Sequence, residues 1–209
     1  MEQGKITAKS ICAAVAGVFL VSVGVAFNNC AGLGNDPVGI IYDGIRVAGG
    51  MSQEMLGLAS NLVNGALTLL LWFVGRKYVS VGTLVYFIPY GFFVTVGTGL
   101  YELLAVSDAL PVRIGFSVAG CLLLYLGVAV YIVMDIGVDP FTGVVLRLRD
   151  AVNKEYRFVK IAFDLTMIVL GTLLGGKLGA VTVITALTAG PVIQFFTKQL
   201  RKRLLQAAD

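Results

Sequence analysis

Few residues of this chain could act on a polar molecule, and the clearest of them occur twice. Gly34-Asn35-Asp36-Pro37 returns as Gly137-Val138-Asp139-Pro140, so that Asp139 follows Asp36 by 103 residues. The same offset pairs further residues of the two halves without a gap: Gly17 with Gly120, Gly24 with Gly127 and Arg46 with Arg149. A period of half the chain length indicates a duplicated module rather than a solenoid.

An Asp-Pro pair suits the first turn of a helix. The aspartate side chain accepts a hydrogen bond from a first-turn N–H group, and proline lacks the donor that has no partner there. One interpretation is that the two pairs only cap short helices at the membrane surface. The other is that the capped ends line a central cavity and bind a polar solute, which makes candidates of Gly34, Asp36, Pro37, Gly137, Asp139 and Pro140.

Four more polar side chains lie inside apolar stretches. Asn61 and Asn64 are three residues apart, and Lys160 and Asp164 are four apart, so each pair shares a helix face. Such residues can serve as interhelical hydrogen bonds or a buried ion pair. Ionisable groups within a membrane span are nevertheless candidates for functional sites. We therefore add Asn61, Asn64, Lys160 and Asp164 to the candidate substrate-binding residues.

Catalytic groups are not apparent in the sequence. The chain has no histidine, and its three cysteines, Cys12, Cys30 and Cys121, lack metal-ligand spacing. We find no nucleophile–base pair, carboxylate cluster for a divalent metal or phosphate-binding loop, so an enzyme acting on lipids or isoprenoids is disfavoured. The sequence predicts no catalytic residues, no metal, no cofactor and no nucleic-acid partner.

Composition indicates that most of the chain is surrounded by lipid. Hydrophobic residues make up 57% and charged residues 13% of the 209 residues, and the mean hydropathy is +0.89. Soluble domains carry about 25% charged residues. We therefore predict an all-α integral membrane protein whose residues 1–209 form a single domain and whose main partner is the lipid bilayer.

Apolar runs and turn residues predict six membrane spans, at about 11–26, 55–74, 79–104, 112–134, 158–174 and 178–196. The Asp-Pro pairs introduce two shorter segments, at about 38–47 and 141–150. A helix of ten residues is about 15 Å long, half the thickness of the bilayer core. We expect a kink or early stop at Pro89, a kink at Gly190-Pro191, and lipid-facing or packing roles for the aromatic residues Tyr86, Phe87, Tyr90, Phe92 and Phe93.

Basic residues in the connections predict the orientation. With six spans, twelve Lys and Arg residues fall on one side and three on the other, which places both termini in the cytoplasm. Each copy then contains three spans, an odd number, so the second copy is inverted in the membrane relative to the first. The predicted fold is two inverted-topology three-helix repeats, at about 8–105 and 110–203, each with a short Asp-Pro-capped half-helix.

These motifs resemble a known group of proteins. Gly32-Leu33-Gly34 followed by Asp36-Pro37, the later Gly137 with Asp139-Pro140-Phe141, and Gly190-Pro191 are together similar to the YczE/YitT-like group of small bacterial membrane proteins. The resemblance implies a bacterial plasma (inner) membrane protein and carries over no substrate. Asp135 stands where the first copy has Gly32, so the two loops need not have equal roles.

Inverted repeats with interrupted helices are how many secondary transporters build a solute site. The predicted function is a membrane transporter of a small polar or ionic solute, bound between the two half-helices near the midplane. A channel is equally compatible, and the alternatives are a substrate-binding subunit of an energy-coupling-factor importer and a regulatory membrane protein. The glycine faces could pack within the monomer or between protomers, so a homodimer stays open.

Overall fold

The computed structural model describes residues 6–206, which form eight α-helices and no strand. The helices are α1 Ala8–Ala31, α2 Pro37–Ala48, α3 Leu56–Val74, α4 Val81–Leu104, α5 Leu110–Met134, α6 Pro140–Val152, α7 Tyr156–Leu173 and α8 Ala180–Gln206. Short 3-10 turns, Gln53–Met55 and Arg76–Tyr78, precede α3 and α4. The all-helical prediction is confirmed. Lys5, which was counted for the orientation, lies outside the described residues.

Five helices in the described part of the chain are long and apolar enough to cross a membrane. They are α1, α4, α5, α3 with its preceding turn, and α8 as far as Leu204. Helix α7 has 18 residues but carries Arg157, Lys160 and Asp164, and it is not among them. The candidate spans therefore number five rather than the six expected from the sequence.

The prolines do not end their helices. Helix α4 continues through Pro89 as far as Leu104, so the early stop considered at Pro89 is wrong. Asn61 of α3 accepts a hydrogen bond from Gly91 N–H at 2.8 Å, which supports the α4 backbone just after Pro89. Helix α8 likewise runs through Pro191 to Gln206, ten residues beyond the predicted end.

Both Asp-Pro pairs begin helices as predicted. Asp36 Oδ2 accepts the Val38 N–H at 3.2 Å and Asp139 Oδ1 accepts the Thr142 N–H at 3.0 Å, while the prolines occupy the first helical positions. The helices they begin, α2 and α6, have 12 and 13 residues. We call them the half-helices, because helices of this length are about 18–20 Å long and cannot span a bilayer core.

The two connections into the half-helices have matching backbones. Gly32 and Asp135 close α1 and α5 in the left-handed conformation, with φ of 66° and 49°. Aspartate is one of the few non-glycine residues that visit this region. Leu33 O then accepts the Val181 N–H, and Ile136 O accepts the Gly82 N–H, both at 3.0 Å. Each connection is thus bonded to the start of the long helix that ends the other copy.

Helices α1 and α5 cross in an antiparallel arrangement through glycine. A Cβ atom on Gly127 would lie 2.5 Å from Gly17 O, and one on Gly24 would lie 2.5 Å from Gly120 O. The repeat offset exchanges these two contacts, since it maps Gly17 onto Gly120 and Gly24 onto Gly127. The glycine faces therefore pack within the monomer, and the crossing lies between the two copies.

The half-helices pack on α7 and α3. Gly44 of α2 meets Gly171 of α7, and Gly143 of α6 meets Leu71 of α3; a Cβ on either half-helix glycine would lie within 2.6 Å of its neighbour. Each half-helix therefore contacts the middle helix of the other copy as closely as glycine permits.

A carboxylate on each half-helix binds a connection of the other copy. Asp43, midway along α2, accepts from Arg46 Nη2 at 2.7 Å and from the backbone N–H of Lys177 at 2.9 Å, and we call these three residues the α2 clip. Asp43 and Arg46 are buried, whereas the Lys177 side chain is exposed. A second set of bonds lies near the end of α6.

Asp150 accepts from Lys77 Nζ at 2.6 Å and from the Tyr78 hydroxyl, and we call these three residues the α6 clip. Lys77 is 67% exposed. Its ammonium group holds the pKa of the Asp150 carboxyl well below its usual range. Both clips therefore join a half-helix to the other copy, but Asp43 is buried and Asp150 is exposed.

The glycine crossing predicts a strong difference between two substitutions on α5. Gly127→Ala should lower the free energy of unfolding by about 1–3 kcal/mol, because the new methyl group overlaps the α1 backbone. Gly115 has nothing within 4 Å of an added Cβ, so Gly115→Ala is the control. It should be neutral or raise stability by up to about 1 kcal/mol, the helix-propensity gain. Equal stability of the two variants, measured by denaturant titration in detergent, would contradict this packing.

The clips predict an unequal effect of removing their carboxylates. Asp43→Ala should destabilise the protein by about 3–5 kcal/mol, because it leaves the buried Arg46 guanidinium without its partner. Asp150→Ala should have a much smaller effect, since exposed ion pairs are screened by water and salt. Thermal unfolding of both variants in the same detergent tests the comparison, and a larger loss for Asp150→Ala would refute it.

Candidate functional site

One cavity reaches the first residues of both half-helices. It has a volume of about 440 Å³ and is lined by Asp36 at the start of α2 and by Asp139 at the start of α6. Its walls include Val21 and Val25 of α1, ten and six residues before that helix ends. The chain has therefore folded back along α1 before α2 begins. This volume lies within the range of ordinary small-molecule sites.

Each of the two carboxylates uses one oxygen for helix capping. The second oxygen of Asp36, Oδ1, is buried and has no hydrogen-bond partner among the described residues. In residues 6–206, neither Asp36 nor Asp139 has a Lys or Arg nitrogen within 4.0 Å. A buried carboxylate oxygen without a partner is costly, and it is a natural position for a ligand donor.

Four tyrosines line the same cavity, three of them on α4 and α5. The rings of Tyr86 and Tyr90 are stacked with centroids 5.1 Å apart, and Tyr131 meets Tyr86 edge-on at 5.3 Å. Tyr131 is 4% exposed, and its hydroxyl has no partner among the described residues. Tyr86 and Tyr90 pack in the main core, as expected for the aromatic residues near Pro89, and they also line the cavity, whereas Phe92 is 68% exposed.

The two half-helices also touch through aromatic side chains. Tyr42 of α2 packs edge-on against Phe141 of α6, with ring centroids 5.8 Å apart. Tyr42 also contacts Tyr90, at 5.5 Å. This cluster connects the starts of both half-helices with the cavity wall on α4.

The predicted pair on α7 forms. Lys160 donates a hydrogen bond to Asp164, and Lys160 lines the cavity whereas Asp164 does not. Asp164 lies four residues further along α7, and its negative charge offsets most of the positive charge of Lys160. The pair therefore brings little net charge to the cavity.

The predicted asparagines lie away from the cavity lining. Asn61 accepts from Gly91 N–H, while Asn64 donates to the Tyr42 hydroxyl at 2.8 Å and to Ser60 O at 3.0 Å. Their amides join α3 to α4 and α2, as buried amides in apolar helices commonly do. The contacts support this structural role, while Asn64 Oδ1 is buried without a hydrogen-bond partner in the described residues and substrate contact stays a prediction.

Comparison with known proteins gives a family for the chain. Residues 8–198 match a family described as a family of unknown function, DUF6198. The chain belongs to the DUF6198 family. An uncharacterized protein of Haemophilus influenzae is 28% identical over 188 residues, which cover 90% of this chain and 83% of that protein. No solved structure matches. The YczE/YitT-like name suggested by the motifs is not confirmed by these comparisons.

In this DUF6198 protein, four of the predicted site residues line the cavity: Asp36, Gly137, Asp139 and Lys160. Gly34 packs instead against Gly179, and a Cβ there would lie 2.7 Å from the Gly179 nitrogen. Pro37 and Pro140 act as first helical residues and are buried without lining the cavity. Asp36, Asp139 and Gly137 therefore line the cavity, whereas the rest of the two Asp-Pro motifs does not.

Sequence reasoning missed several lining residues besides the tyrosines. Thr142, Tyr156, Asp135 and Arg201 also line the cavity, the last two near the C-terminal ends of α5 and α8. The repeat signal could have indicated Asp135 and Thr142, because they flank the second Asp-Pro pair, but no local pattern distinguishes Tyr156 or Arg201.

A larger cavity of the DUF6198 protein is of a different kind. It measures about 650 Å³, lies between α5 and α8, and is lined almost entirely by apolar groups. It contains none of the predicted site residues; Gly32 and Leu33, which lead toward α2, belong to its lining. The convergent polar groups favour the smaller cavity as the candidate site.

Water access to the smaller cavity can be tested with cysteines. In a background with Cys12, Cys30 and Cys121 replaced by alanine, Thr142→Cys should react with a hydrophilic methanethiosulfonate reagent, because thiolates form in water-filled space. Phe92→Cys, at a position on the candidate span α4 where the side chain is 68% exposed in the protein alone, is the control. Lipid should cover it and slow its reaction. Faster labelling at position 92 would contradict a wet cavity beside Asp139.

Proposed function

We propose that this protein is a multi-pass membrane transporter of a small polar or ionic solute, bound between Asp36 and Asp139. The observation that carries the proposal is the single cavity reached by the starts of both half-helices, with a buried carboxylate oxygen lacking a partner. Interrupted helices that meet at a cavity satisfy the backbone there and leave polar groups for a solute.

We further propose that α7 is a sixth span and that the two copies have inverted topology. Lys160 and Asp164 neutralise each other within α7, and Arg157 lies in its first turn, where a long side chain can reach the headgroups. The glycine crossing of α1 and α5 supports inversion, because the repeat offset exchanges its two contacts and the helices are antiparallel. The basic residues favour cytoplasmic termini, and the motif resemblance together with the Haemophilus relative favours a bacterial inner membrane.

In that orientation we propose an inward-facing state. Asp135 and Arg201, near the proposed cytoplasmic ends of α5 and α8, belong to the cavity wall. The buried Asp43 and Arg46 of the α2 clip would lie toward the opposite side. Outward opening would then require α2 and the α7–α8 connection to separate at Asp43 and Lys177, and inward closure would bring the cytoplasmic ends together.

A ligand-binding experiment tests the proposed site. Purified protein in detergent is screened by thermal shift against amino acids, nucleobases, vitamins, organic anions and simple ions. A solute at 100 times its dissociation constant should stabilise the protein by about 2.7 kcal/mol. Asp36→Asn and Asp139→Asn should reduce this gain, while their amides still cap the half-helices.

Asp108→Asn, in the exposed connection between α4 and α5, is the matched control and should behave as the parent. A solute that stabilises all four proteins equally would place binding elsewhere, and no stabilising solute across the panel would count against transport. For any solute found, uptake by proteoliposomes containing this chain alone separates a transporter from an importer subunit that requires an ATPase partner. Retained binding without uptake would favour that alternative or a regulatory role.

A further inference from the structure

We infer that the cavity between Asp36 and Asp139 selects a small organic cation, an alkylammonium ion, over anions and neutral molecules. This inference rests on the proposed function, because it concerns the same site. It names the class of solute, which neither the family nor the relative indicates. Three observations carry it: the balance of charge, the occupied helix starts and the unpartnered tyrosine hydroxyl.

The balance of charge at the half-helix starts is negative. Asp36 and Asp139 face the cavity without a cationic partner within 4.0 Å in the described residues, whereas Lys160 is paired with Asp164. Asp135 and Arg201, of opposite charge, line the part near the ends of α5 and α8. The polar centre of the cavity therefore attracts a positive group, and the buried Asp36 Oδ1 is free to accept its N–H.

Helix starts commonly attract anions instead, because their N–H groups and dipole are positive. In this protein the two aspartates already occupy the helix starts. The Val38 and Thr142 N–H groups donate to Asp36 and Asp139, and Pro37 and Pro140 have no N–H to offer. An incoming anion would meet two carboxylates in place of free donors, so the dipoles stabilise the aspartates rather than the solute.

The tyrosines provide the rest of a cation site. Tyr86, Tyr90 and Tyr131 line the cavity, and aromatic rings attract ammonium groups through their negative faces. The Tyr131 hydroxyl is buried without a partner and can accept a second N–H. The tyrosine rings also cover the alkyl part of the ion, which a carboxylate alone would leave exposed.

An organic cation fits better than a metal ion. In the part of the chain that the structure describes, no group of three His, Cys, Asp or Glu side chains is arranged to hold a metal. Calcium and magnesium need six or more oxygen ligands, several of them close together. A cavity of about 440 Å³ that is lined by three carboxylates and five aromatic rings instead accommodates a carbon-bearing ammonium ion.

The test uses probes of similar size and different charge. The parent protein in detergent is titrated with n-butylammonium, tetramethylammonium, butyrate, n-pentanol and the zwitterion 4-aminobutyrate, and melting temperature and binding heat are recorded. At least one of the two ammonium ions should bind more than tenfold tighter than butyrate and pentanol. Asp36→Asn should weaken that binding at least tenfold, and Tyr131→Phe should weaken it several-fold.

Asp108→Asn should leave the affinity unchanged, and the melting temperature of each variant without ligand shows that it is folded. Asp139→Asn serves as the second carboxylate variant if Asp36→Asn does not fold. Binding of butyrate or of 4-aminobutyrate in preference to both ammonium ions, lost in the aspartate variants, overturns the inference and leaves the proposed solute site intact. Binding of no probe here, together with no hit in the broad screen, overturns both.

Discussion

A helix that begins away from water must satisfy the N–H groups of its own first turn, and this requirement governs the centre of the molecule. Asp36 with Pro37 and Asp139 with Pro140 meet it in the same way, by one accepted hydrogen bond and one missing donor. Capping uses only one oxygen of each carboxylate. The solution to a backbone problem therefore leaves polar atoms pointing at a shared space, and the candidate site is a by-product of how the half-helices start.

Everything around the half-helices depends on contacts between the two copies. The connection before α2 is bonded to the start of α8, and the connection before α6 to the start of α4. The half-helices then pack on α7 and α3 through Gly44 and Gly143. A single copy would leave its Asp-Pro loop and its half-helix without these partners, so the site exists only where the copies meet, at the crossing of α1 and α5.

Local chemistry explains which features could be predicted. Asp-Pro caps, helices too short to span and the Lys160–Asp164 pair each depend on residues within a few positions of one another, and the sequence displays them directly. The inward position of Tyr86 and Tyr90 could not be read in the same way. Helix α4 is apolar on every side, so its pattern does not indicate which face meets protein.

Long-range contacts also decided the remaining failures. Pro89 would end a lone helix, but Asn61 of α3 binds the Gly91 N–H and the helix continues. The asparagines looked like solute ligands because their partners, Gly91 and Tyr42, are 30 and 22 residues away. Polar residues in an apolar helix reveal that a partner exists, and only the packed structure shows whether that partner is protein or solute.

The α2 clip and the α6 clip differ, so the two proposed states of the duplicated fold need not have equal free energy. Two identical halves would make the inward and outward states equal in free energy, so each would be populated half of the time. Here Asp43 of α2 is buried, and Asp150 near the end of α6 is exposed. In the proposed transport cycle, every 1.4 kcal/mol by which the bonds at Asp43 exceed those at Asp150 would multiply the population of the inward state about tenfold. A solute arriving from outside would then have to spend part of its binding energy on releasing Asp43, whereas one arriving from the cytoplasm would not.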